Sequence, residues 1–363
     1  MNASPLPASS GHIRDYYRPL ILSAAALILL YFFWVTSRYP SLLDKASHVD
    51  KALPSMAYSK ALFAIEATAP LWQKIVLGAL NWLDGMKIGM SFGVLFGALV
   101  HTYLRYYPMR IGRNLYLNSM KGALVGLPMG VCANCAVPIA CGLTRGNGRI
   151  EVALGFLFSS PNFNPVVLTM TMLALPLSMS LTKYAVLLAM IGVVVPYVIG
   201  RLERDKPLLV QTSKTEMIAE PAPEMGGRRF PVAFKEVALD YASNVWMLFK
   251  PTITIMLIGS VVASALLALI PWSSLLAEVT PLRLILVSLI STFMPVPIAL
   301  DVMFSSQLLK QGIDPGYAMI FAMSLGTYSI IPSIYLWREV SKRLAVILFL
   351  FFWLTGLLCG VIF

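Results

Sequence analysis

Seven apolar runs determine what this chain can fold into, because each is close to the length of a helix that crosses a bilayer. The runs lie near residues 19–36, 84–104, 150–176, 183–200, 244–270, 315–337 and 344–363. A membrane helix needs about 20 apolar residues to span the hydrocarbon layer. Charged residues make up 12% of the chain, whereas an ordinary soluble domain has about 25%. The sequence therefore predicts an all-α, polytopic membrane protein.

The basic residues predict the orientation of the chain. The formal net charge is +11, and basic residues cluster near 105–121, 201–235 and 338–343. Short basic loops stay on the cytoplasmic side of a membrane, so this distribution indicates topology and not nucleic-acid binding. We expect a multi-pass protein of the cell inner membrane, with a cytoplasmic N-terminus and a periplasmic C-terminus. The first run lacks a cleavage site and is predicted to remain a transmembrane helix.

The same charge pattern predicts two inverted repeats. Residues 115–147 begin and end beside cytoplasmic basic residues, and residues 282–310 begin and end on the outer side. Each is expected to be a re-entrant or broken-helix hairpin, and the two enter from opposite faces. The predicted organisation is an N-terminal transmembrane helix with a periplasmic or interfacial segment (1–83), a first repeat (84–200), a cytoplasmic linker (201–240) and a second repeat (241–363). Trp72 and Trp82 are expected to anchor an interfacial helix.

A pair of cysteines lies near the tip of the first predicted hairpin. Cys132, Asn134, Cys135 and Pro138 follow one another there, and the Val-Pro-Ile-Ala sequence around Pro138 recurs around Pro297. Two soft sulfurs suit a thiophilic ion or metalloid. The same pair also suits electron transfer as a dithiol, or simply close packing of small side chains. With no histidine nearby, a structural zinc site is not expected, and we predict no cofactor and no resident metal.

Small polar residues and prolines interrupt one predicted span in each half. Ser159 to Pro165 break the third span, and Ser324 to Ser329 break its counterpart. Irregular backbone at bilayer depth survives only where protein buries it or where it lines a wet cavity. The candidate substrate-binding residues are those of the cysteine segment together with the residues at these breaks and in the second hairpin: Cys132, Asn134, Cys135, Pro138, Pro161, Asn162, Asn164, Met294, Pro297, Ser324 and Thr327.

Asp301 is the one acidic residue in a long apolar stretch that includes the second hairpin. An ionisable residue inside a membrane is costly and indicates function by default. Protonation relieves that cost, so Asp301 is our candidate for proton coupling. A salt bridge, or a hairpin end that reaches water, is the structural alternative.

Glycines recur at every fourth residue of the second span, at Gly85, Gly89, Gly93 and Gly97. Small residues at this spacing let two membrane helices approach closely, because lipid supplies no hydrophobic driving force between them. We predict that this face packs tightly against another helix.

The two interrupted segments together resemble a known family. Gly130 to Pro138, followed by Gly155 to Pro165, resemble the bacterial inner-membrane permease family that includes the organoarsenical efflux permeases. The resemblance covers about residues 80 to 363 and implies functional positions at Cys132, Cys135, Pro138, Pro161 and Asn164. The arsenical exporters carry Cys-Ser-Cys, whereas two residues separate the thiols here, and the second hairpin has no cysteine. The resemblance thus implies the wider permease family.

The sequence predicts a secondary transporter that exports a small solute such as a thiophilic metalloid or organometalloid species. Nucleotide-binding and catalytic motifs are absent from the sequence, so we predict no enzyme. The expected partners are a small-molecule or ion substrate and the lipid bilayer, with no nucleic acid, and a homo-oligomer is compatible with the pattern. A transmembrane dithiol/disulfide carrier and a non-transporting membrane subunit are the alternative functions.

Overall fold

The computed structural model describes residues 17–48, 62–66, 68–109, 112–146, 149–205 and 230–363. All regular secondary structure in these ranges is helical. Most of the predicted cytoplasmic linker lies outside the described residues, as does much of the segment predicted to follow the first helix.

The helices fall into an N-terminal group and two successive sets. The N-terminal group is α1 (Tyr17–Phe33), a π-helical turn (Trp34–Arg38) and α2 (Tyr39–His48). The first set is α3 (Leu71–Tyr106), α4 (Leu115–Gly126), α5 (Ala133–Arg145), α6 (Ile150–Asn162), α7 (Pro165–Ala174), α8 (Leu177–Ala189) and α9 (Val195–Asp205), with a π-helical turn (Met190–Val194) between the last two. The second set is α10 (Phe230–Leu269), α11 (Trp272–Leu275), α12 (Pro281–Phe293), α13 (Leu300–Lys310), α14 (Pro315–Ser324), α15 (Ile330–Tyr335), a π-helical turn (Leu336–Val340) and α16 (Lys342–Ile362).

Five helical stretches in the described part of the chain are long and apolar enough to cross a membrane. They are Tyr17–Leu43, Leu71–Tyr106, Leu177–Arg204, Phe230–Leu269 and Lys342–Ile362. The prediction of an all-α, polytopic membrane protein is therefore confirmed.

Three of the long helices begin several residues before their apolar runs, α3 at Leu71, α8 at Leu177 and α10 at Phe230. Helix α3 begins at Leu71, where the sequence predicts a span from residue 84, and passes through the predicted boundary at residue 83. Its 36 residues correspond to about 54 Å at 1.5 Å per residue, well beyond the hydrocarbon layer. The predicted role of Trp82 as an interfacial anchor is wrong, because its indole is fully buried and donates to the Pro295 carbonyl at 2.8 Å. Trp72 is 67% exposed.

Each predicted hairpin is a pair of helices joined by a short loop. Residues 127–132 join α4 to α5, and residues 294–299 join α12 to α13. The span that follows each hairpin is broken, between α6 and α7 in the first set and between α14 and α15 in the second. The chain therefore repeats one order of elements: a long helix, a helix pair, a broken helix and a long helix.

The packing within the two sets follows the same scheme. Helix α6, the first segment of its broken helix, contacts both α4 and α5, and α14 likewise contacts both α12 and α13. The second segments cross over to the other set, because α7 contacts α13 and α15 contacts α5. This exchange is what a two-fold relationship between the sets requires, while their inversion across the membrane stays a prediction.

Helix α3 packs against α5 through the glycine face. A Cβ atom added to Gly93 would lie 2.3 Å from the Cys135 carbonyl oxygen, and one added to Gly97 would lie 2.5 Å from the Pro138 carbonyl oxygen. A Cβ atom added to Gly89 would likewise lie 2.9 Å from the Cys135 sulfur. Gly85 is exposed. Three of the four glycines therefore permit the close approach of α5.

Substitution at this face is expected to separate the two helices. Gly93→Ala should destabilise the protein by about 1–3 kcal/mol, because a backbone oxygen cannot move away without shifting α5. The matched control is Gly85→Ala, on an exposed position of the same helix. Melting temperatures of the two purified variants in detergent check this expectation, and equal values would contradict the packing described.

Candidate functional site

The tips of the two hairpins meet at Asn134. This residue lies in the first turn of α5 and is buried. Its amide nitrogen donates to the Val296 carbonyl in the second hairpin loop at 3.1 Å, and its amide oxygen accepts from the Ser329 hydroxyl at 2.7 Å. One side chain thus joins the first hairpin to the second hairpin loop and to the break before α15.

The two helix breaks are also bonded to each other. Asn162, the last residue of α6, accepts a hydrogen bond from the Thr327 hydroxyl at 3.1 Å through its side-chain oxygen. The Tyr184 hydroxyl donates to the Asn162 backbone carbonyl at 3.4 Å. Three of the predicted substrate-binding residues therefore take part in hydrogen bonds between the sets: Asn134, Asn162 and Thr327.

Left-handed backbone occurs at both tips. Gly130 has φ +59° two residues before Cys132, and Ala299 has φ +64° at the start of α13. A residue with a Cβ in this conformation costs on the order of 1–3 kcal/mol and persists only where the surroundings enforce it. The second hairpin loop is therefore held by its contacts, among them the bonds from Asn134 and Trp82.

The thiols of Cys132 and Cys135 lie at the N-terminus of α5. Cys132 is the N-cap, and its sulfur accepts a hydrogen bond from the Cys135 backbone N–H at 3.3 Å. The Cys132 sulfur is 3.8 Å from the Met86 sulfur of α3. Both cysteines are free and buried. The structure therefore groups two thiols and a thioether beside the junction of the hairpin tips.

A buried arginine faces these thiols. Arg38, in the turn after α1, is 7% exposed, and its guanidinium lies over the Phe33 ring at 4.5 Å. An arginine nitrogen and the Cys135 sulfur both lie against Gly89, at 3.3 and 2.9 Å from the position of its missing Cβ. In the part of the chain that the structure describes, the guanidinium therefore has the Phe33 ring and the Cys135 thiol beside it. Its Nε has no hydrogen-bond partner there.

The N-terminal helix reaches this place because it docks on the first hairpin loop. The Trp34 indole donates to the Pro128 carbonyl at 2.7 Å, and the Phe33 and Phe92 rings stack with centroids 3.9 Å apart. The sequence does not reveal the role of Arg38, because an arginine directly after an apolar run reads as a topology signal.

Asp301 forms a buried ion pair with Lys183. The Lys183 nitrogen is 2.6 Å from a carboxylate oxygen of Asp301, and the two side chains are 0% and 3% exposed. The carboxylate lies against Gly326 at the break before α15, within 2.8 Å of where a Cβ would stand. The sequence places Lys183 at the start of a span, whereas α8 begins at Leu177 and carries it almost two turns inside.

The remaining predicted residues have local partners. Asn164 caps α7, accepting from the Val167 N–H at 3.1 Å and donating to the Ser160 and Pro161 carbonyls at 2.7 and 3.1 Å. Ser324 is buried against Gly356. Pro138 sits against the glycine face of α3. These residues shape the backbone around the junction.

A small apolar cavity lies beside the second hairpin loop. Its volume is about 20 Å³, and its walls include Met294, Pro295, Leu300 and Phe321. The space is close to that of a single water molecule. The hydrogen bonds of Asn134 hold the two tips against each other in this structure. Within the described ranges, no cluster of three or more His, Cys, Asp or Glu side chains is placed to hold a metal ion.

Paired interruptions in the two halves of a polytopic helical protein, joined at buried polar groups, are a feature of many membrane transporters. The comparisons with known proteins agree, because the predicted permease family ArsP_1 matches residues 92–363, and the chain belongs to this family. The resemblance found in the sequence is confirmed, and membership of a permease family supports a multi-pass membrane transporter.

One curated relative is the UPF0718 protein YraQ of Escherichia coli strain K12. It is 23% identical over 314 residues, which cover 85% of this chain and 84% of that protein. No solved structure matches the chain. The family match begins at residue 92 and therefore includes neither Arg38 nor Met86.

Proposed function

We propose that this protein is a secondary transporter of the cell inner membrane that exports a small thiophilic solute, such as a metalloid or organometalloid species. The observation that carries the proposal is the junction at Asn134, where the tips of both hairpins meet beside two buried thiols. The proposed orientation is a cytoplasmic N-terminus and a periplasmic C-terminus, because basic loops stay in the cytoplasm.

Transport by alternating exposure follows from the way the two sets are joined. Substrate access requires that the tips separate, which breaks the bonds of Asn134 to Val296 and Ser329 and that of Asn162 to Thr327. The contacts of a bound solute with the freed amides, the hydroxyls and the thiols compensate for these lost hydrogen bonds. Such a site, near the membrane midplane between two repeats, is typical of secondary transporters.

The proposed coupling group is Asp301, together with Lys183. Removing one charge of a buried pair leaves the other without a partner, which is strongly unfavourable. A proton on Asp301 therefore weakens the contact between α8 and α13 and favours a different packing of the second hairpin. Proton movement and hairpin movement are linked in this way.

The test is a panel of solutes in cells that express the protein and in cells that do not, covering thiophilic metals, organometalloids and small anions. Cys132→Ser and Cys135→Ser should abolish the transport of any solute that the wild type moves. Cys141→Ser is the matched control, because Cys141 is buried on the same helix but lies more than one helical turn beyond Cys135. Transport that survives in all three variants would refute the site.

The panel also separates the alternative functions. A dithiol carrier would yield mixed disulfides at Cys132 or Cys135 and would move reducing equivalents instead of the solutes. A non-transporting subunit would move none of the solutes and would copurify with another chain. Either result would overturn the proposed transport function.

A further inference from the structure

We infer that Cys132, Cys135 and Met86 form a site for a soft monovalent metal ion, and that Arg38 balances its charge. This inference rests on the proposed function, and within the class of small thiophilic solutes it selects monovalent ions such as Cu(I) or Ag(I) in place of metalloid species. It adds two residues, Met86 and Arg38, that the sequence did not single out.

The donor set is entirely sulfur. Two thiols lie at the N-terminus of α5, and the Met86 thioether of α3 approaches the Cys132 sulfur to 3.8 Å. Thiolate and thioether ligands select Cu(I) over harder ions. All three side chains are at least nine-tenths buried, so the site is dry, and water does not compete for the metal.

The charge of Arg38 distinguishes between candidate ions. An arginine keeps its positive charge in a protein, and a buried charge must be paired. Arg38 is 7% exposed, and one of its guanidinium nitrogens lies near the Cys135 sulfur, because the two atoms are 3.3 and 2.9 Å from the same point, the missing Cβ of Gly89. Two thiolates and one monovalent cation carry a net charge of −1, which Arg38 neutralises. The four groups together are then neutral.

Other thiophilic species do not fit this balance. A divalent ion on two thiolates gives a neutral complex. A trivalent monoaryl arsenical oxide condenses with two thiols to form two As–S bonds and one water, and this adduct is also neutral. In both cases Arg38 stays buried without a counter-charge. The arginine therefore favours a monovalent ion over an arsenical.

The experiment measures binding to the purified full-length protein in detergent. Competition with a chromophoric Cu(I) chelator gives the affinity for Cu(I), and phenylarsine oxide serves as the neutral-adduct probe. The wild type is expected to bind one Cu(I) per chain. Arg38→Met should weaken Cu(I) binding by about 10- to 100-fold and leave phenylarsine oxide binding equal or stronger. Arg38→Lys, which retains the charge, should restore most of the Cu(I) affinity, and Met86→Leu should lower it.

Lys87→Met is the matched control, because it removes a positive charge next to Met86 from an exposed position. Melting temperatures verify that each variant is folded, and Arg38→Lys keeps the test decisive where Arg38→Met is unstable. Unchanged Cu(I) affinity in Arg38→Met, or wild-type protein that binds phenylarsine oxide but not Cu(I), would overturn the inference. Cu(I) that binds tightly but is not transported would instead refute the proposed function and leave the site standing.

Discussion

Replacing Asp301 with asparagine is expected to cost the protein about 3–5 kcal/mol, because it leaves the Lys183 ammonium buried without a counter-charge. Lys183→Met should cost a similar amount for the opposite reason. The double variant Lys183→Met/Asp301→Asn should recover most of the loss, since it leaves no buried charge. Thermal unfolding of the purified proteins measures all three effects.

The comparison with an exposed pair isolates the effect of burial. Lys87 and Asp84 form an ion pair at 2.5 Å whose side chains are 64% and 29% exposed, and an exposed pair contributes about 0–1 kcal/mol. Lys87→Met should therefore leave the stability almost unchanged. A similar loss in the exposed and buried variants would contradict the environment described for Asp301.

The same variants test the coupling role. If Asp301 carries the transported proton, the double variant should fold normally but transport without the pH dependence of the wild type. Uptake into vesicles at a series of pH values measures this. A double variant that is stable and keeps the wild-type pH dependence would assign the coupling to another group, and the ion pair would then be structural.

Removing the amide of Asn134 is the second large change that we expect. Asn134→Ala leaves the Val296 carbonyl and the Ser329 hydroxyl buried without this partner, and each orphaned polar group costs about 1–3 kcal/mol. Transport should fall together with stability, because the junction positions both hairpin tips. Melting temperature and transport rate in the same preparation measure the two effects.

A double-mutant cycle shows whether the loss arises at the junction. Asn134 and Ser329 are directly bonded, so Asn134→Ala/Ser329→Ala should deviate from additivity by about 0.5–3 kcal/mol. Thr254 is an exposed residue of α10 whose hydroxyl donates within its own helix. Asn134→Ala and Thr254→Ala should therefore be additive, and a coupling of equal size in both cycles would argue against a specific junction.

The breaks and the hairpins were predictable because their causes are local. Pro165 begins α7 and Asn164 caps it, while Ser329 caps α15. Proline and capping side chains act on the backbone within a few residues, so their positions in the sequence mark the ends of helices directly. The start of α3 at Leu71 was missed, because polar residues near Asp84 ended the apolar run while the helix continued.

The partners of the predicted site residues were not predictable in the same way. Lys183 and Asp301 are 118 residues apart, and Arg38 lies near the Cys135 thiol, about 97 positions further along the chain. Nothing in the local sequence distinguishes these cations from the basic residues that flank the spans. Their roles depend on which helices pack together.

By itself the sequence determined the class of protein, the paired interruptions and the residues that make them, because hydropathy, proline and capping act over short distances. Only the tertiary structure decided that Asn134 joins the two tips, that Asp301 is paired and that a buried arginine faces the thiols. The physical reason is that burial inside a membrane protein makes polar groups find partners, and those partners come from whichever helix the packing brings near.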